Sequence, residues 1–280
     1  MKLLILGGNG MAGHVLVQYF RRQRDWDVFY TSRDHSDPHA LYLDAADEAQ
    51  MDSVLEQVRP DVVINAIGIL NKQAEEHEML AYQVNGMLPH HLRKRMDAWG
   101  GKLVHISTDC VFSGDRGDYT EYDLPDGSSV YAKSKAIGEV RQPPHLTVRT
   151  SIIGPEIRRS RIGLFNWFMS QSGTVQGYTQ VYWNGVTTLQ LAKSIELMLG
   201  DGTSGLVHLT AAEKVSKYQL LHLFKETFGK KDVTIVPEGD FVQDRSLHCT
   251  REDKALKTLP YAEMLAEMRD WMQQYDYGSS

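Results

Sequence analysis

The 280 residues carry 30 Lys and Arg against 36 Asp and Glu, a net charge of −6, with 42% hydrophobic and 24% charged residues. That is ordinary globular composition, and its acidic balance argues against a nucleic-acid partner. Two cysteines, Cys110 and Cys249, exclude a disulfide scaffold and a CxxC zinc pair, and no other spacing points to a metal.

Leu3-Leu4-Ile5-Leu6 reads as a buried strand that runs straight into glycines. It has no signal-peptide h-region, so a cytoplasmic protein is expected. A helix is expected over 11–22, then strands at Val28–Tyr30 and Leu41–Leu43. Met51, Val54, Leu55 and Val58 fall on one face of a helix at 47–59, which Pro60-Asp61 ends. Val62–Ile64 is the next strand. The apolar stretch from Val62 to Leu70 is broken by Asn65 and falls far short of the ~20 residues of a membrane span. One long helical stretch is expected over 74–98, open to a kink at Pro89, and Gly100-Gly101 breaks it. Strands follow at Leu103–Ile106 and Leu146–Val148. Strands apolar on both faces and separated by helices predict an α/β fold, a doubly wound parallel sheet of Rossmann type. Residues 1–150 would form this dinucleotide-binding unit. Residues 151–280 would form a smaller C-terminal substrate lobe, with 187–200 returning to the Rossmann core. Further elements are expected at 206–209 (strand), 216–228 and 260–275 (helices), and Gly278-Ser279-Ser280 reads as a frayed tail.

Gly7-Gly8-Asn9-Gly10-Met11-Ala12-Gly13 joins the first strand to the first helix. Two registers fit, Gly8-x-Gly10-x-x-Gly13 and Gly7-x-x-Gly10-x-x-Gly13. Glycines there permit a tight turn, backbone approach to a pyrophosphate at the helix N-terminus, and close helix–strand packing. Gly7, Asn9, Gly10, Met11 and Gly13 are therefore candidate cofactor contacts. After the second strand, Tyr30-Thr31-Ser32-Arg33 has no carboxylate to accept from a ribose 2′-OH. Ser32 and Arg33 suit a 2′-phosphate instead, so NADP is favoured over NAD. Asp44, after the third strand, could contact adenine or cap a turn.

Tyr131-x-x-x-Lys135 places a phenol and an ammonium on one face of a helix. A nearby ammonium would lower the phenol's pKa and fit it for proton transfer. Ser107-Thr108-Asp109 lies at the carboxyl edge of its strand, where such sheets bind ligands. Only one of Ser107 and Thr108 should face inward. Thr108, Tyr131 and Lys135 are the candidate catalytic set. Ser107, Asp109 and Arg158 are substrate candidates, Arg158 with Arg159 and Arg161 for a diphosphate. Tyr182 and Trp183 could stack a base or pack in the core. His90 and His91 point about 100° apart on a helix and cannot chelate one ion.

These features resemble an extended short-chain dehydrogenase/reductase, and most closely the dTDP-4-dehydrorhamnose reductase family. The likeness rests on the Gly7/Gly10/Gly13 loop, Asn65-Ala66, Val84-Asn85, the run Ser107 to Gly114, Tyr131-x-x-x-Lys135 with Gly138-Glu139, and Arg149-Thr150-Ser151. The family pattern usually has an aromatic where this chain has Cys110 and a glycine where it has Ala132. The resemblance implies that Ala66 joins the cofactor site and that NADPH reduces the C4 carbonyl of a nucleotide-diphosphate 4-keto-6-deoxy sugar. Tyr131 would be the acid, Lys135 would hold the nicotinamide ribose, and Thr108 would orient the carbonyl. Two alternatives stay open: a sugar-nucleotide epimerase or dehydratase of the same fold, and a non-catalytic NADP-binding regulatory subunit. A homodimer is also left open.

Overall fold

The structure, a computed structural model, describes residues 1–157, 163–253, 256–275 and 277. The first half runs β1 (Lys2–Leu6), α1 (Met11–Phe20), β2 (Asp27–Ser32), β3 (Leu41–Tyr42), α2 (Glu48–Val58), β4 (Val62–Asn65), α3 (Asn71–Glu76), α4 (Glu78–Ala81), α5 (Leu88–Trp99), β5 (Lys102–Thr108), α6 (Val130–Ile137) and β6 (Leu146–Thr150). There follow β7 (Ile152–Ile153), α7 (Leu164–Ser170), β8 (Gly173–Trp183), β9 (Val186–Thr187), α8 (Thr188–Gly200), β10 (Gly205–His208), β11 (Val215–Ser216), α9 (Lys217–Thr227), β12 (Val233–Asp244) and α10 (Tyr261–Gln274).

The main sheet has seven strands in the order β10-β6-β5-β4-β1-β2-β3, all parallel. This is the expected doubly wound α/β sheet, and the order reverses between β1 and β4. The topological switch point therefore lies beyond the carboxyl ends of those two strands. Both faces are covered, as the apolar runs require. Leu3 and Ile5 of β1 pack with Leu16, Val17 and Phe20 of α1. Leu4 and Leu6, on the other face, pack with Val54, Leu55, Leu92 and Met96.

The later elements share the first of these cores. Phe165, Phe168, Trp183, Leu220 and Phe224 belong to the same buried cluster as Leu3 and Ile5. They surround a second sheet, β11-β8-β12. α8 packs on α1 in this cluster, and β10 supplies the seventh strand beside β6.

The helical stretch expected over 74–98 is present, running from Asn71 to Trp99, but it is not one continuous α-helix. The chain breaks at His77 and widens into a π-helical turn at Tyr82–Met87 before α5. Pro89 is the physical reason. It has no N–H to give the carbonyl of residue 85, and its ring crowds that carbonyl. The displaced Asn85 carbonyl lies against Gly138, where a Cβ would come within 2.0 Å of the oxygen. The Gly138 of the Gly-Glu pair thus makes room for the widened turn, a common device near functional sites.

Candidate functional site

A cleft of about 510 Å³ opens at the switch point. Gly7, Gly10, Met11, Ser32, Arg33, Asp44 and Ala66 line one end, and Ser107, Thr108, Asp109, Tyr131 and Lys135 line the other. All of these except Tyr131 and Lys135 lie at or just beyond strand ends.

The loop itself shows why its glycines are there. Gly7 has φ +80°, a conformation that side chains disfavour. A Cβ on Gly13 would sit 2.1 Å from the Gly7 carbonyl oxygen. Gly13 therefore lets α1 approach the loop and does not itself line the cleft. Gly10 is the N-cap of α1 and brings no side-chain cap. The first N–H groups of the helix stay available to an anion at the positive end of its dipole. What separates the two registers is that Gly7 lines the cleft with Gly10, whereas Gly8 packs against the Tyr30 ring.

Asn9 does not line the cleft. Its amide donates to Ser32 Oγ (2.9 Å) and Asp37 Oδ2 (3.3 Å), bracing the glycine loop against the end of β2. The carboxylates next to Arg33 are likewise committed. Asp34 accepts from the N–H and hydroxyl of Ser36, and Asp37 accepts from the Tyr30 hydroxyl. Arg33 remains exposed on the cleft rim. Asp44 accepts from the Ala46 N–H (3.1 Å), so it also serves a turn.

At the other end Ser107 and Thr108 part ways, as adjacent strand residues must. The Ser107 hydroxyl donates to Glu139 Oε1 (3.1 Å), inside a buried group in which Glu139 also receives Arg149 Nε (2.5 Å) and Nη2 (2.7 Å). Arg149 is fully buried there. The Thr108 hydroxyl donates to Asp109 Oδ1 (3.1 Å) and accepts from the Cys110 N–H, and the Tyr131 phenol lies near it. Cys110 is pushed up to about 12, chiefly by burial and then by Asp109, which leaves it an inert thiol.

Ser129 caps α6 by accepting from the Ala132 N–H (3.0 Å), which aims Tyr131 and Lys135 into the cleft. The electrostatics differ from the sequence expectation. Burial holds the Tyr131 phenol well above its usual pKa, and the Lys135 ammonium does not counter it. Lys135 is turned to β5 instead. Its Nζ donates to the Ile106 carbonyl (2.7 Å) and lies 3.2 Å from His105 Nε2. Burial lowers Lys135 to about 8, against the opposing pull of Glu139.

Tyr182 and Trp183 do not line the cleft, and they cannot act as a pair. Period-two alternation along β8 sends Tyr182 outward and Trp183 inward. Trp183 is 4% exposed, and its indole N–H donates to Ser151 Oγ (2.8 Å), a residue of the cleft wall. Arg158, Arg159 and Arg161 lie outside the described residues. Sequence reasoning missed Lys217, the first residue of α9. Its ammonium sits 5.2 Å over the Trp183 ring and faces Asp109 and Cys110. Burial lowers it to about 8. Its only local signal was the Ser216–Gln219 capping box beside it. Among the described residues no group of His, Cys, Asp and Glu could hold a metal ion, and no helix is long and apolar enough to cross a membrane.

Comparison with known proteins extends this correspondence. The family described as RmlD substrate binding domain matches residues 1–246. A zebrafish (Danio rerio) protein named methionine adenosyltransferase 2 subunit beta is 25% identical over 250 residues, 84% of this chain and 76% of its own. A dTDP-4-dehydrorhamnose reductase of Mycobacterium tuberculosis is 34% identical over 147 residues, 49% of this chain and 44% of its own. The fold is shared with a Bacillus anthracis dTDP-4-dehydrorhamnose reductase solved in complex with NADP, with a TM-score of 0.81 at 21% identity, covering 96% of this chain and 99% of that one. The family match takes in the glycine loop, the Thr108 strand edge and the Tyr131 helix, and on that ground the chain belongs to the RmlD substrate binding domain family.

Proposed function

We propose that this protein is an NADPH-dependent reductase of the 4-keto group of a nucleotide-linked 4-keto-6-deoxy sugar. The observation that carries the reading is the meeting of Thr108, Tyr131 and Lys135 in one cleft with the glycine loop. The residues present fit the cofactor. The uncapped N-terminus of α1 suits its pyrophosphate, and exposed Arg33, with the neighbouring acids already engaged, suits a 2′-phosphate. When bound, NADPH supplies the hydride. Thr108 orients the carbonyl oxygen, and Tyr131 delivers its proton to that oxygen as negative charge develops there. The raised pKa of Tyr131 keeps the phenol protonated until then. Ser107 stays with Glu139 and takes no part in the proton transfer. Lys217, cationic below its lowered pKa and facing the Asp109 end of the cleft, suits the diphosphate of the substrate.

The test is incubation with NADPH and a panel of nucleotide 4-keto-6-deoxy sugars, read at the nicotinamide absorbance band. NADPH should be consumed with at least one of them. Tight binding of NADPH with no consumption across the panel would favour a non-catalytic subunit instead.

Cofactor choice gives a separate expectation. A charge-assisted hydrogen bond contributes roughly 1.5–3 kcal/mol. Arg33→Ala should therefore reduce the preference for NADPH over NADH by about 10- to 100-fold, measured as the ratio of dissociation constants. Equal binding of the two cofactors by the unaltered protein would remove Arg33 from the site and leave the fold reading intact.

A further inference from the structure

Behind Lys135 lies a buried row of polar groups, and hydrogen-bond counting leaves it one consistent arrangement. Asn65 ends β4 and His105 stands beside it on β5, in direct register. Both are fully buried. The Ile67 N–H donates to Asn65 Oδ1 (3.1 Å), which fixes the amide: turning it over would set its NH₂ against another N–H. Asn65 Nδ2 therefore donates to His105 Nδ1, 3.2 Å away. An imidazole whose Nδ1 accepts carries its proton on Nε2 when neutral. That Nε2 faces Lys135 Nζ at 3.2 Å. An ammonium offers only donors, so N–H would meet N–H there. An amine offers a lone pair, and then every group in the row is satisfied.

We propose that His105, with its tautomer set by Asn65, is a positioning residue that acts through Lys135: it presents Nε2–H to the lysine nitrogen and so favours the amine over the ammonium. The proposal rests on the reductase reading for its catalytic meaning. A lysine that gains and loses a proton near neutrality can exchange one with the site between turnovers, whereas an ordinary lysine stays charged until about pH 10.4. The other ionisable groups facing the pair are few. His90 approaches from α5, Tyr131 comes from α6 and Glu139 from just beyond its C-terminal end, with Arg149 of β6 clamping Glu139. Asp109 and Cys110 face Tyr131 from the turn after β5. Glu139 favours the ammonium, so it opposes His105 and does not duplicate it.

The test joins a pH profile with a direct view of the ring. In His105→Gln an amide oxygen can face Lys135 and accept from the ammonium. The alkaline limb of turnover should move up by about one pH unit or more, while the acid limb and the folded circular-dichroism spectrum stay as in the unaltered protein. Nitrogen NMR of the unaltered protein, without substrate, should show His105 protonated on Nε2 and bare on Nδ1 across neutral pH. An Nδ1–H tautomer would overturn the proposal, as would superimposable alkaline limbs in the two proteins. If His105→Gln does not fold, the tautomer decides alone. If no sugar nucleotide is reduced, the reductase reading fails by itself and the NMR result still judges His105.

Discussion

Tyr131→Phe should lower turnover by roughly 10²- to 10⁴-fold, because it removes the proton donor and little else. That corresponds to about 3–5 kcal/mol of barrier. The ring stays, so its packing and α6 should survive, and the Ser129 cap does not involve the hydroxyl. NADPH affinity should remain within a few-fold, since the glycine loop, Arg33 and Lys135 are untouched. Single-turnover rates and the NADPH dissociation constant, measured on the same preparation, separate the two effects. A variant with near-normal turnover would show that Tyr131 is not the acid, and the chemistry would have to be rebuilt around Thr108 and Asp109.

The second large effect belongs to stability. Arg149→Met leaves the Glu139 carboxylate buried with its bidentate partner gone, and removing one member of such a pair costs about 3–5 kcal/mol. Ser107, and Arg141 at 3.1 Å on the solvent side, cushion part of the loss. Urea unfolding should show the midpoint falling with the slope unchanged. The double variant Glu139→Leu with Arg149→Met should recover much of the loss, because it removes the stranded charge as well. If the single variant is as stable as the unaltered protein, the pair contributes nothing to the fold.

Much of this molecule was legible because its signals are local. A strand apolar on both faces, a glycine cluster between strand and helix, and a Tyr and Lys four residues apart are each decided within a few residues. The reading went astray where the deciding partner is remote. The π-helical turn at Tyr82–Met87 depends on Pro89 and also on Gly138, about fifty positions later, which alone leaves room for the displaced carbonyl. Lys135 was expected to act on Tyr131, its neighbour on the helix. It turns instead to His105, thirty residues earlier, across a sheet-to-helix gap that no local pattern reveals. Trp183 offered stacking or core packing as equal choices, and the parity of β8 decided for the core. Lys217 comes near Asp109 and Cys110 because β11 pairs with β8 and sets the start of α9 on that side.

The covering of α1 has a consequence for synthesis. This helix carries the phosphate-facing end of the glycine loop, and it is made long before the elements that cover it. Its apolar face is closed by α8, and its outer edge is closed by the end of the chain: the Trp271 indole and the Tyr277 hydroxyl both donate to Gln18 Oε1, at 3.2 and 2.7 Å, and Arg22 lies over the Trp271 ring. The sheet's last strand, β10, is also absent until residue 208 is made. A chain made only as far as residue 150 would therefore hold a six-stranded sheet with an open edge and an uncovered α1, the kind of surface that recruits chaperones or aggregates. The cofactor site, though written almost wholly before residue 140, keeps its supporting helix uncovered until α8 and α10 have been made.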